Sequence, residues 1–215
     1  MRWPILALLT GSIRPFRGPD EPSAIAKLPV DGTVAIGPLG LAGDEQADRR
    51  YHGGPDKAIH HYPRDHYPFW REETEGHVLL DGAGAFGENV STLGLTEGEI
   101  CIGDRFRLGS ALVEVSQGRQ PCWKQGHRFG CPRVTARIVE TRRSGWYYRV
   151  LESGEAGAGD ALNLIDRVSS EWTVARVFGL LIAGDHTRDR PAVRALAALP
   201  VLAEPWRLRA AALAD

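Results

Sequence analysis

The chain has 215 residues, 43% of them hydrophobic and 25% charged, with a formal net charge of -1. That length suits one well-buried domain plus a small appendage, and the composition excludes disorder along most of it. The charge balance gives no general affinity for a nucleic acid polymer or an anionic membrane, so a negatively charged ligand would have to meet a local cluster of cations.

In chain order, the run Trp3 to Leu9 is too short for a membrane span and lacks both a basic leader and a small-residue cleavage site, so it is read as a strand. Further short apolar segments bounded by Gly, Pro or Asp follow at Ala24 to Leu28, Thr33 to Ile36, Ile100 to Ile102, Arg105 to Leu108, Ala111 to Val115, Trp146 to Leu151 and Ala161 to Ile165. Val- and Ile-rich pieces of this length between turn formers are strand signals. Helices are expected at Arg64 to Glu75 and at Pro132 to Glu140, where proline suits a first helical position. The Gly-rich stretch Ser153 to Gly159 reads as a loop.

After Arg167 the texture turns to Ala, Leu and Arg. Thr173 is placed to cap a helix to about Ile182, Pro191 to open a second to Leu199, and Pro205 a third to Leu213. Three helices this short bury little alone and are expected to pack on each other and on a partner surface. The fold class is therefore mainly β with α additions, a β-barrel over 1–168 followed by a small three-helix segment over 169–215.

Three cysteines, Cys101, Cys122 and Cys131, are odd in number and irregularly spaced. They make no secreted disulfide framework and fall short of the four ligands usual for an iron–sulfur cluster, and they fit a cytoplasmic protein. Cys101, between Ile100 and Ile102, reads as a packed core residue. Cys122 stands at the end of a strand after Pro121, flanked by Arg119 and Lys124, a cationic setting that favours a thiolate able to bind soft metals.

Three lysines stand against 23 arginines, so a lysine is informative here. Lys57 follows Gly53-Gly54-Pro55-Asp56, a tight turn that resembles a small anion cradle, and Lys124 lies two residues after Cys122; Lys27 falls in an apolar strand context. A compact ammonium suits a phosphate or an oxo anion. Asn89, one of only two asparagines, sits in the Gly-opened turn Phe86-Gly87-Glu88-Asn89, either as a ligand-facing amide or as an Asx turn. Four of the seven histidines, His52, His60, His61 and His66, fall close together, but their spacing does not support zinc, because His60 and His61 would point to opposite faces of a strand.

Taken jointly, Gly40-Leu41-Ala42-Gly43-Asp44, His52-Gly53-Gly54 through Lys57-Ala58, Tyr62-Pro63, Phe86-Gly87-Glu88-Asn89, Pro121-Cys122-Trp123-Lys124 and Gly145-Trp146-Tyr147-Tyr148-Arg149-Val150 resemble the MOSC domain family, the molybdenum cofactor sulfurase C-terminal type. More narrowly they resemble its YiiM-type branch, in which a three-helix segment follows the domain. The resemblance implies a β-barrel that binds a pterin-based molybdenum cofactor (molybdopterin) with Cys122 as the protein ligand to the metal. It also implies reduction of N-hydroxylated compounds such as 6-hydroxylaminopurine, with electrons from a separate reductase. In that frame His52 or His61 could relay protons, and Lys57, Arg119, Lys124 and Arg149, with Asn89, would hold the cofactor. A cofactor carrier without turnover of its own needs the same ligand and cradle, and a cofactor-free Cys-His enzyme is a third reading.

Overall fold

The computed structural model describes residues 1–18, 20–48 and 52–214. Its strands are β1 (Arg2–Pro4), β2 (Ala7–Thr10), β3 (Arg14–Pro15), β4 (Pro22–Ser23), β5 (Leu28–Pro29), β6 (Thr33–Gly37), β7 (Gly40–Leu41) and β8 (Ile59–His61), then β9 (Val90–Ser91), β10 (Arg105–Leu108), β11 (Ala111–Gly118), β12 (Trp146–Glu152), β13 (Gly154–Gly157) and β14 (Ala161–Asp166). The helices are α1 (Tyr67–Glu73), α2 (Trp123–Arg128), α3 (Arg133–Thr141), α4 (Val174–Leu181), α5 (Arg190–Ala197) and α6 (Glu204–Ala214).

Nine strands form one sheet in the order β1-β14-β10-β11-β12-β8-β9-β2-β5, so chain neighbours β1 and β2 lie seven steps apart. Laid flat, seven steps at about 4.8 Å would span about 34 Å. The chain from Pro4 to Ala7 can reach only about 10 Å. The sheet must therefore curl until its ends meet. Two adjacent residues make the crossing, with Ile5 N–H donating to Asp160 O at 2.8 Å on one side and Leu6 N–H to Ser91 O at 2.9 Å on the other. The expected single strand Trp3 to Leu9 is thus two strands on either side of the closure.

Alternation sorts side chains between the inside of the curl and its outer face. Phe106 and Leu108 of β10 point in, while Arg105 and Arg107 point out and pair with Glu114 and Glu152. On β12, Trp146 and Tyr148 are fully buried in the barrel core and Tyr147 faces the other way. β8 pairs with β12 in a register that sets His61 against Trp146 and His60 against Tyr147. The two histidines consequently serve different faces.

Several expectations are corrected. Ser153 to Gly159 holds a strand, β13, paired with β6. Its glycines look loop-like but serve a close approach, since a Cβ on Gly154 would lie 2.5 Å from Ala111 N. Of the expected strand Ala24 to Leu28 only Leu28 is in one, β5, while Ala24, Ile25 and Lys27 are buried outside any strand, and Ile100 to Ile102 contributes only a single bridge from Cys101 to Thr173. Helix α2 was not expected, because Gly126 in its middle weakens the helical signal.

In the tail, Thr173 caps α4 by accepting from Arg176 N–H at 3.2 Å, and proline falls in the first turn of α5. The three helices do not stand apart from the barrel. Val177, Phe178, Leu196, Leu202 and Trp206 join Leu8, Ile59, Val113 and Tyr148 in one hydrophobic cluster. Ala203 N–H also donates to Ser116 O of β11 at 2.9 Å. A second, aromatic cluster of Tyr62, Tyr67, Trp70, Phe86 and Phe129 supports the turn that ends at Asn89. There Gly87 has φ 77°, and a Cβ would come within 2.6 Å of the Ile25 side chain. Among the described residues, no helix is long and apolar enough to cross a membrane.

Candidate functional site

β11 runs to Gly118 and leaves the sheet through Arg119, whose N–H donates to Gly145 O at 3.0 Å. The extended residues that follow deliver Cys122 to the N-cap of α2 with φ -133° and ψ 159°. A capping box holds it there: the Cys122 side chain accepts from the backbone of the first turn, and Gln125 Oε1 accepts from Cys122 N–H at 3.2 Å. A strand end followed by a capped turn fixes the sulfur more tightly than a loop would.

Burial pushes the Cys122 thiol up, but a hydrogen bond from His52, the Arg119 charge and the backbone N–H of Lys124 outweigh it and bring the pKa to about 6. At neutral pH the group is a thiolate. Iodoacetamide labelling of the metal-free protein at position 122 should rise with pH through a midpoint of about 6, and His52→Ala should move that midpoint upward. Quantitative mass spectrometry of the modified peptide reads both, and a midpoint near 9 in the unmutated protein would contradict this electrostatic account.

Cys122 borders a cleft of about 570 Å³, including its open mouth, lined among others by Lys27, Asp44, Lys57, His60, Arg119 and Lys124. Arg119 is only 5% exposed, and its Nε and Nη1 have no hydrogen-bond partner among the described residues. A buried guanidinium with orphaned N–H groups is costly unless an anion completes it. Lys27 is paired with Asp44, whose Oδ1 also accepts from Gly11 N–H at 2.8 Å while its Oδ2 accepts from Asn89 Nδ2 at 2.9 Å. Burial lowers the Lys27 pKa against the pull of Asp44, and burial likewise lowers that of Lys57. The lining thus sets four cations, Lys27, Lys57, Arg119 and Lys124, against three carboxylates, Asp44, Glu45 and Asp48.

The structure brings His52, Lys57, Asn89, Arg119, Cys122 and Lys124 together at this cleft. Asn89 acts there through the wall, since its amide is engaged by His60 N–H, Leu9 O and Asp44. Lys124 Nζ donates to Pro22 O at 3.1 Å, which ties α2 to the opposite rim. Two expected residues lie elsewhere. His61 is enclosed in the barrel, with Nδ1 3.0 Å from Tyr148 Oη and Nε2 2.8 Å from Thr92 Oγ1, and burial brings it to about 3. A ring so placed is neutral and out of reach of the cleft. Arg149 does not line the cleft either. It donates to Asp56 at 2.7 Å, to Glu114 at 2.7 Å and to Val201 O at 2.9 Å, clamping the Pro55–Lys57 turn and the tail onto the sheet.

Among the lining residues that the sequence reading did not assign to the site are Lys27, Asp44, Glu45, Asp48, His60 and Tyr147. The signal for Lys27 was its rarity, overruled by its apolar neighbours. His60 and Tyr147 form a cross-strand pair with ring centroids 5.2 Å apart, and Tyr147 also hydrogen-bonds Arg119. Burial, reinforced by Arg119, holds the His60 pKa well below its ordinary value. Among the described residues no three His, Cys, Asp or Glu side chains converge on a point that could hold a metal ion.

The MOSC domain model matches residues 48–163. YiiM of Escherichia coli (strain K12) is 46% identical over 170 residues, covering 79% of this chain and 75% of that protein. A protein of Gibberella moniliformis named "Reductase" is 42% identical over 161 residues, 74% of this chain but 28% of its own length. The crystal structure of YiiM from Geobacillus stearothermophilus superposes with a TM-score of 0.82 at 33% identity, covering 99% of this chain and all of that one. With more than half of its length matched by the domain model and its whole fold shared with YiiM structures, the chain belongs to the MOSC domain family.

Proposed function

We propose that the protein is a molybdenum-cofactor-dependent reductase of N-hydroxylated compounds, with 6-hydroxylaminopurine as leading substrate and Cys122 as the metal ligand. The observation that carries this reading is a cleft in which the half-buried Cys122 thiolate lies with a buried Arg119 guanidinium, two of whose nitrogens, Nε and Nη1, find no partner among the described residues. MOSC domains are associated with molybdenum cofactor binding, and the donor set fits such a group. Among the described residues no three His, Cys, Asp or Glu side chains converge at the thiolate, a donor set that suits a metal arriving with other ligands already attached, and the cations suit its phosphate.

When bound, the cofactor supplies the two-electron chemistry that cleaves the N–O bond. The net reaction takes an N-hydroxyl compound, two electrons and two protons to the parent amine and water, with the electrons from a separate reductase. Cys122 holds the metal. Arg119, Lys57, Lys27 and Lys124 bind and orient the anionic group, with Asp44 and Asn89 fixing Lys27. His52 holds a ring proton against Cys122 Sγ through their hydrogen bond. The substrate and the donor are small molecules and a protein of the cytoplasm.

The test is turnover of 6-hydroxylaminopurine with an artificial electron donor and the loaded protein. Adenine formation supports the reading. A fully loaded protein that forms none, and passes its cofactor to a molybdenum-free apoenzyme, is instead a carrier.

A further inference from the structure

His66, the last of the four clustered histidines, does not line the cleft. It is buried in the turn Arg64–His66 ahead of α1, and its Nε2 lies 2.6 Å from Oε2 of Glu97, a carboxylate only 3% exposed. The other oxygen, Oε1, accepts from Gly145 N–H at 2.6 Å. A carboxylate only accepts hydrogen bonds, so His66 and Gly145 both donate to it. Each oxygen of this buried group has a partner, which is what a carboxylate needs to be fixed in place away from water.

Gly145 is the point at which this pair reaches the cleft. Its carbonyl accepts from Arg119 N–H at 3.0 Å, the last rung between the end of β11 and the start of β12. Two residues further on, Tyr147 hydrogen-bonds the Arg119 side chain. Gly145 is also pressed against β8, where a Cβ would lie 2.4 Å from His61 O. Glu97 is anchored in turn, its own carbonyl accepting at 2.8 Å from the N–H of Ala175 in the first turn of α4. A continuous chain of hydrogen bonds thus runs from His66 through Glu97 and Gly145 to the backbone of Arg119.

We propose that Glu97 is a positioning residue for the cleft: through Gly145 it fixes Arg119, and with it the direction in which the guanidinium meets an anionic group. His66 keeps the Glu97 carboxylate turned toward Gly145. Neither side chain lines the cleft, so their effect on the ligand passes through Arg119. That this ligand is the cofactor rests on the proposed function; the placing of Arg119 does not.

The test joins residue-resolved amide hydrogen exchange of the unloaded full-length protein, followed by NMR, with pterin release from the loaded protein. Glu97→Ala should speed exchange of the Arg119 amide about tenfold, the worth of one lost hydrogen bond. The amide of Val115, bonded to Asp104 O earlier on β11, should exchange as before, whereas a general loss of stability would quicken both. Glu97→Gln keeps an acceptor for Gly145 N–H and should restore slow exchange. Pterin release should quicken about tenfold in Glu97→Ala, and the same substitution should add little in an Arg119→Met background. If Glu97→Ala does not fold, His66→Phe, which keeps a ring in place and removes one bond to Glu97, carries the same comparison. Unchanged exchange at Arg119, equal acceleration at Arg119 and Val115, or the same added release in both backgrounds would overturn the proposal. If Arg119 exchange responds as expected but the unmutated protein from a pterin-making host carries no pterin, the positioning role stands and the cofactor reading fails.

Discussion

Cys122→Ser is expected to lose bound molybdenum and to reduce turnover of N-hydroxylated substrates by more than about 100-fold, since even indirect partners of a metal ligand are worth about 10- to 100-fold. Serine nearly keeps the size but replaces a soft thiolate with a hard, weakly acidic oxygen. The other two cysteines serve as controls in the same chain. Cys101 is buried, so Cys101→Ser introduces a hydroxyl that needs a partner and should cost stability, about 1–3 kcal/mol if it stays unpaired, with metal content intact. Cys131, half-buried before the cap of α3, should tolerate serine. Metal analysis, turnover and urea unfolding on the three variants separate these outcomes. Molybdenum and activity that survive in Cys122→Ser but vanish in either other variant would reassign the ligand.

Arg119→Met should act with different signs on the cofactor and on the fold. Loss of the guanidinium removes charge-assisted hydrogen bonds worth about 1.5–3 kcal/mol each, so cofactor retention should fall by roughly 10- to 150-fold. In the unloaded protein the same side chain is a buried charge with two orphaned nitrogens, and an apolar chain of similar volume should leave the Tm unchanged or raise it. Thermal unfolding of unloaded protein and the rate of pterin release from loaded protein measure the two effects. If Arg119→Met instead unfolds the unloaded protein, the guanidinium is structural and the anion-binding account of the cleft fails.

How much of this could be read in the sequence depended on whether the signal was local. The tail helices were legible because their caps and prolines lie at their own ends: Thr173, Pro191 and Pro205. Cys122 was legible because its proline and cations are chain neighbours. The inner wall of the cleft was not, because it is assembled from segments distant in the chain. Lys27 and Asp44 meet across 17 residues, and Asn89 joins them from 45 residues beyond Asp44. The choice between His60 and His61 turned on a register with β12 that no neighbouring residue announces. The placing of Arg149 away from the cleft was illegible for the same reason, since its partners Asp56, Glu114 and Val201 come from three separate segments.

The central claim is that the cleft at Cys122 and Arg119 holds a molybdenum cofactor on which reduction depends. Its most direct test is the molybdenum-to-protein ratio and the turnover of 6-hydroxylaminopurine in the full-length protein purified from two otherwise identical hosts, one able and one unable to make the pterin. The account predicts close to one molybdenum per chain with activity from the first host, and neither from the second. Activity at full rate in protein from the second host, without molybdenum, would contradict it.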